Sequence, residues 1–379
     1  MIVFEPPRRL RGIEKSVIRQ VFDRARPGSI NLGLGEPDLP TPDVIRQAAI
    51  RVITDEQNGY TVHSGLPILR QRIAGDYPYL ENNADKVIVT AGSQEALYLA
   101  LLTLVDEGDE VLLPNPGFVA YPTIVKMAGG IPAFYKLSAP SHFTFDIDNF
   151  RRSLTPRTKV VVCISPSNPT GRVLSKADLA AIGNALEDHD AYLISDEIYR
   201  ELYYDVRPES ASSFCRRTIV IGGLSKSMSM TGWRLGWIAG DENIIKSALV
   251  LHGYVTTCAS TVSQKAALAS WTNEAEQARA GFRQIFLKRR DHLLQLFANE
   301  LKLRAVVPDG AFYTMLDMSR FGESMKVAEV FLDEGVITVP GSAFGTEAEG
   351  FLRVSFCADI DVLSEGIRRM KQALKKLSI

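Results

Sequence analysis

Short β-branched runs recur through the middle of the chain, at residues 86–90, 110–113, 159–164, 191–194, 218–221 and 235–239, each followed by a turn or a helical pattern. Strands that alternate with helices imply a mostly parallel sheet covered by helices on both faces. On this basis residues 42–271 read as one large α/β domain.

Beyond it the pattern changes. Charged and apolar residues at helical spacing predict a long helix over 274–301, and scattered strands follow at 305–307, 312–316, 336–339 and 352–356. These predict a smaller α+β domain built from residues 1–41 together with 272–379, closed by a C-terminal helix whose basic residues form a solvated face. No repeat or low-complexity linker interrupts the series.

Composition narrows the class of function. With 379 residues, 46% of them hydrophobic, the chain can bury a substantial core. Its 43 Lys and Arg against 44 Asp and Glu leave a formal charge of −1, so no global field attracts nucleic acid or acidic lipid, and a small polar ligand is the better expectation. Cys163, Cys215, Cys258 and Cys357 have no CxxC spacing and do not cluster with the five histidines, which argues against a metal site. The apolar stretch at the N-terminus is too short for a signal peptide, and no segment approaches the length of a membrane span. A cytoplasmic location with reduced thiols is the expectation.

Ligands of open α/β sheets bind where loops leave the carboxyl ends of the strands. Four such loops carry candidate residues here: Gly92-Ser93-Gln94, Ser167-Asn168-Pro169, the Asp196 turn and Ser225-Lys226. Lys226 stands thirty residues after Asp196 and eight before Arg234. Lysine amines form imines with carbonyl cofactors, and pyridoxal phosphate also needs an acidic partner for its ring nitrogen and a cation for its phosphate. Asp196 and Arg234 would supply those groups.

Each residue also has a plainer reading. The Gly92-Ser93 turn is a phosphate cradle at a helix N-terminus or an ordinary strand-to-helix cap. Asn168, held between Pro166 and Pro169, presents its amide in a fixed direction or caps its own turn. Asp196 can bind a pyridinium, in which case its pKa is depressed, or cap a helix. Tyr199 reaches a cofactor oxygen or packs in the core, and Phe118 stacks on a flat ring or packs likewise. Arg353 is a cation within an apolar strand; it takes a bidentate substrate carboxylate or an internal salt bridge.

Together these strings resemble the class I/II aminotransferases, pyridoxal phosphate enzymes of the aspartate aminotransferase fold (fold type I). The resemblance runs from Leu32-Gly-Leu-Gly35-Glu-Pro-Asp-Leu-Pro-Thr-Pro42 through residues 308–313 and 339–345 to Arg353. It implies a seven-stranded type of sheet and reversible transamination between an α-amino acid and an α-keto acid. Lys226 matches the Schiff-base lysine that also moves the proton, Asp196 the pyridinium partner, and Asn168 with Tyr199 the pair on the ring hydroxyl. Ser93, Gln94, Ser225 and Arg234 match phosphate-binding positions, and Phe118 the stacking aromatic. Arg353 matches the arginine for the substrate α-carboxylate, with Gly35 and Asn168 beside it. Tyr60 matches a tyrosine that reaches the phosphate of the neighbouring subunit, which implies a homodimer with shared active sites.

Two departures bear on substrate. Gly223 replaces a serine that many relatives carry three residues before the lysine, and Gln94 stands where one branch with aspartate activity has a lysine. No second arginine for a distal carboxylate is evident, and the segment from Leu10 to Val17, with Ile13, Ser16 and Val17, is expected to give the side-chain pocket an uncharged rim. The alternative activity on this fold is a pyridoxal phosphate-dependent β-elimination, a carbon–sulfur lyase. A non-catalytic regulator would be expected to add a DNA-binding segment, and a dinucleotide fold fails because residues 33–38 lack the third glycine.

Overall fold

The protein is described here by a computed structural model covering residues 5–7, 10–55 and 57–377. Its strands are β1 (Ile30–Asn31), β2 (Val87–Thr90), β3 (Glu110–Asn115), β4 (Ile131–Lys136), β5 (Thr158–Ile164), β6 (Tyr192–Asp196), β7 (Thr218–Gly223), β8 (Gly236–Ala239), β9 (Tyr313–Asp317), β10 (Val336–Ile337), β11 (Val339–Pro340) and β12 (Phe351–Ser355). Seven of them form one sheet in the order β2-β8-β7-β6-β5-β3-β4. All neighbours pair in parallel except β8, which runs antiparallel to both β2 and β7. The α/β architecture with a mostly parallel sheet is therefore as the sequence predicts.

Burial explains why six of these strands were legible. β2, β3, β7 and β8 are buried at every position, because helices cover both sheet faces, and such strands read as continuous apolar runs. β4 is the exception. It lies at the sheet edge, exposes Ile131, Phe134 and Lys136 and carries Pro132, which an edge strand tolerates, so its sequence lacks the signal of its neighbours.

The remaining strands form two small sheets. β1 pairs with β10 in parallel, and β11-β12-β9 is antiparallel. The single strand expected over 336–339 is thus divided at the buried Thr338, its halves serving different sheets, and the run at 305–307 contributes only an isolated bridge from Ala305 to Leu316. The β1–β10 pair joins the N-terminal segment to the C-terminal part of the chain.

The long helix Asn273–Leu296 starts at Thr272, whose hydroxyl accepts from the Ala275 N–H, and ends in a wider turn over Phe297–Leu301. From this helix the buried Arg289 donates to both carboxylate oxygens of Asp38 (2.6 and 2.9 Å) and to Asp359 (2.6 Å). One guanidinium so ties the segment after Gly35 to the start of the C-terminal helix Ile360–Leu377. That helix buries Leu363, Gly366, Ile367, Met370, Ala373 and Leu374, the three-to-four spacing of an amphipathic face.

Candidate active site

Because six strands of the large sheet run parallel, their C-terminal ends share one edge. β2 leads through Gly92 into the helix Ser93–Leu104, β3 leads to Phe118, β5 to Asn168, β6 ends on Asp196, and β7 leads to Ser225 and Lys226. The reversed strand β8 begins at this edge and places Arg234 there. A cavity of about 260 Å³ is lined by Ser93, Phe118, Asn168, Asp196, Ser225, Lys226 and Arg234, with Gln94, Tyr199, Gly35 and Arg353. Of the residues matched to cofactor and substrate roles, Tyr60 alone does not line it; Tyr60 is 88% exposed on the loop before helix Pro67–Gly75.

At the base, Asp196 is 6% exposed. Its carboxylate accepts from the Tyr121 hydroxyl (2.8 Å) and from the Ile198 N–H (3.2 Å). Burial pushes its pKa up to about 6, a rise that these two donors and Lys226 limit. The depression expected from the sequence was tied to a pyridinium cation beside it; the protein's own groups give the opposite sign.

Lys226 donates to the Gly35 carbonyl at 2.7 Å. Burial holds its pKa below the usual lysine value, aided by the cations Arg353 and Arg234 and opposed by Cys357 and Glu36. Its neighbour on the other side of the turn, Gly223, lines a separate cavity, and a Cβ there would come within 2.9 Å of Ile198. A serine at 223 would therefore crowd Ile198, and the backbone there does not face the Lys226 cavity.

Arg353 is 2% exposed and forms no salt bridge with any described residue. It donates to Asn168 Oδ1 at 2.8 Å and to the Gly33 carbonyl, and it lies over the rings of Tyr313 (4.3 Å) and Phe344 (4.8 Å). Its Nε has no hydrogen-bond partner among the described residues. The internal salt bridge that sequence left open is not made, and burial lowers the pKa of this uncompensated cation.

At the opposite end of the cavity, Gly92 adopts φ +93°, and a Cβ there would sit 2.4 Å from Arg234 Nη2. A Cβ on Gly236 would sit 2.5 Å from the Ser93 N–H nitrogen. Two glycines thus let a guanidinium and a helix N-terminus approach each other, a donor set suited to phosphate. Arg234 itself is in the left-handed region (φ +53°) and donates to the carbonyls of Thr231 (2.9 Å) and Ala91 (3.3 Å). A buried carboxylate, a half-buried amine, this cradle and the aromatic ring of Phe118 around one cavity fit pyridoxal phosphate.

Sequence reasoning missed two tyrosines. Tyr121 was visible in the loop that carries Phe118, but its bond to a residue 75 positions away has no local signature. Tyr313 bonds the Tyr199 hydroxyl at 2.9 Å and would collide with any side chain on Gly35, where a Cβ would fall 1.6 Å from its oxygen. The expected rim also moves: from the N-terminal segment the cavity takes Ile18, none of Leu10–Val17. Ser16 is used as the cap of helix Val17–Asp23, and Val17 packs with Val21, Leu332 and Ile337.

Comparison with known proteins agrees with this geometry. Residues 27–370 match the family model for aminotransferase class I and II. A probable aspartate aminotransferase of Methanocaldococcus jannaschii is 36% identical over 376 residues, 96% of this chain and 98% of that protein. Aromatic-amino-acid aminotransferase 2 of Thermococcus litoralis is 35% identical over 97% of this chain and 98% of its own length. The structure of Thermus thermophilus aspartate aminotransferase with maleate superposes with a TM-score of 0.93 at 33% identity, covering 98% of this chain and all of that one. No observation favours the lyase alternative. The chain belongs to the class I and II aminotransferases, and it is a pyridoxal phosphate-dependent enzyme that transfers an amino group between an α-amino acid and an α-keto acid.

Proposed function

We propose that Arg353 and Lys226 are the groups that meet the substrate in this transamination. The observation that carries this is the buried Arg353 guanidinium, which has no carboxylate partner among the described residues and shares a cavity with the half-buried Lys226 amine. Arg353 takes the α-carboxylate, with Asn168 and Gly35 beside it. With pyridoxal phosphate bound, Lys226 would hold its aldehyde, and as a free amine it would be the base that carries the α-carbon proton to the former aldehyde carbon. Its lowered pKa makes the neutral amine accessible. Pyridoxal phosphate, when bound, supplies the carbonyl and an electron sink for the α-carbanion.

The other residues hold and orient. Asp196, braced by Tyr121, keeps the ring nitrogen protonated, and Asn168 and Tyr199 bond the ring hydroxyl. Phe118 covers the ring face, while Ser93, Gln94, Ser225 and Arg234 take the phosphate. The two units proposed are residues 42–271, which carry the large sheet, and residues 1–41 with 272–379.

A homodimer with shared sites is supported by an exposed apolar face. Tyr60, Val62, Val250, Tyr254 and Val255 are all exposed, and the loop carrying Tyr60 lies against helix Glu242–Val255, where His63 is 3.3 Å from a Cβ built on Gly253. On this reading Tyr60 reaches the phosphate of the second copy. A cytoplasmic location is supported by four cysteines that are all free thiols.

The test is subunit complementation. Lys226→Ala and Tyr60→Ala are each purified, then mixed under conditions that exchange subunits. Alone, the first should be inert and the second impaired; mixed dimers should regain one complete site. Transamination by Lys226→Ala itself would overturn the role of the lysine, and no recovery on mixing would overturn the shared site.

A further inference from the structure

Each cation lining the cavity already has an assignment. Lys226 serves the amine end, Arg353 the α-carboxylate, and Arg234 stands by Gly92 at the phosphate end. Among the described residues that line the cavity there is no fourth. The nearest outlying charge that acts on Lys226 from the segment Gly33–Glu36 is an anion, Glu36, which accepts from the Thr231 hydroxyl at the rim.

The segment joining the two substrate anchors is short. The Gly33 carbonyl accepts from Arg353 and the Gly35 carbonyl from Lys226, so the residue between them, Leu34, borders any molecule that spans both groups. Leu34 is 38% exposed and lines the cavity, as do Ile18 and Phe118. The residue assigned to the second copy, Tyr60, is a phenol and adds no cation.

We infer that this site selects neutral amino donors with bulky apolar side chains and disfavours aspartate. The inference rests on the proposed roles of Arg353 and Lys226. A side chain such as that of phenylalanine would exchange water for Leu34, Ile18 and Phe118. A second carboxylate would lose water against the same surfaces with no unassigned cation among the described lining residues to receive it.

The experiment uses the holoenzyme in single-turnover reactions with phenylalanine, leucine and aspartate supplied separately, following loss of the visible absorption of the lysine-bound cofactor. The second-order rate constant for phenylalanine should exceed that for aspartate by about a hundredfold, the scale on which a pocket rejects a group it cannot pair. Leu34→Lys, which adds a cation at an exposed lining position, should narrow that ratio at least about tenfold by accelerating aspartate. Aspartate reacting as fast as phenylalanine in the unaltered enzyme would overturn the inference and leave the roles of Arg353 and Lys226 standing. A ratio unmoved by Leu34→Lys would overturn charge as its cause. Failure of all three donors would overturn the underlying assignment of the two anchors.

Discussion

The hydroxyls of Tyr199 and Tyr313 lie 2.9 Å apart, and the ring of Tyr313 is the platform on which the Arg353 guanidinium rests at 4.3 Å. A residue proposed for the cofactor and one proposed for the substrate are thereby held by the same phenol. Burial pushes the Tyr313 pKa up to about 12, so both tyrosines are neutral and one hydroxyl donates to the other. Tyr313→Phe keeps the platform and removes the bond, which is worth ~1 kcal/mol. A fall in kcat/KM of about five- to tenfold with unchanged cofactor content is expected. Steady-state kinetics with a saturating keto acid would show it, and an unaltered rate would mean that the hydroxyl pair positions nothing.

Arg353→Lys retains the charge but not the planar fork that meets a carboxylate in two parallel bonds. The KM for the amino acid should rise by about ten- to a hundredfold, corresponding to ~1.5–3 kcal/mol for a charge-assisted bond lost. The visible spectrum of the bound cofactor should not change. A spectrum altered as strongly as the KM would place Arg353 on the cofactor instead.

Asp196 gives a pH signature with a definite sign. Burial holds its pKa at about 6 against 3.8 for an unshifted aspartate, so the folded chain keeps a proton that the unfolded chain releases across that interval. In the cofactor-free protein this group therefore stabilises the fold least at high pH, and the loss accumulates as pH rises from 3.8 to 6. Asp196→Asn should gain stability relative to the parent over that window, by at most ~3 kcal/mol, and hold a constant advantage above it. Denaturant titrations at several pH values would measure this. With pyridoxal phosphate bound the ordering should reverse, because a cation beside the carboxylate favours its charged form.

Gly92 is the most constrained point of the proposed phosphate cradle. Gly92→Ala would force an L-residue into φ +93° and bring its methyl to 2.4 Å from Arg234 Nη2. The backbone strain alone costs ~1–3 kcal/mol. Cofactor affinity should fall at least about tenfold by titration of the apoenzyme, while circular dichroism remains that of the folded protein.

Much of this site could be read in the residues because its parts sit at the ends of apolar strands, where a polar residue in a turn stands out against its surroundings. Asp196, Asn168 and Lys226 are of this kind. Tyr121 and Tyr313 are not: they are buried aromatics at the start of a helix and of a strand, and only tertiary folding brings their hydroxyls to Asp196 and Tyr199. The edge strand Ile131–Lys136 escaped for a related reason, since a strand with one wet side and a proline carries little of the signal that marks its buried neighbours. The rim was misplaced by a single residue, from Val17 to Ile18, because one step along a helix turns a side chain by about 100° and decides which of two surfaces it meets.

The reversed strand β8 has a consequence for how the site can change. Gly223 and Gly236 are register partners, so Lys226 and Arg234 lie within one hairpin connection closed by two hydrogen-bonded strands. The grips proposed for the two ends of the cofactor are therefore spaced by a single loop of fixed length, and one inserted residue would disturb both together. Ile18 and Leu34 come from a different stretch of chain, secured to the rest through Asp38 and Arg289. Substitutions that retune the choice of substrate can accumulate there while the hairpin keeps its hold, so one protein can drift between donors without first losing its chemistry.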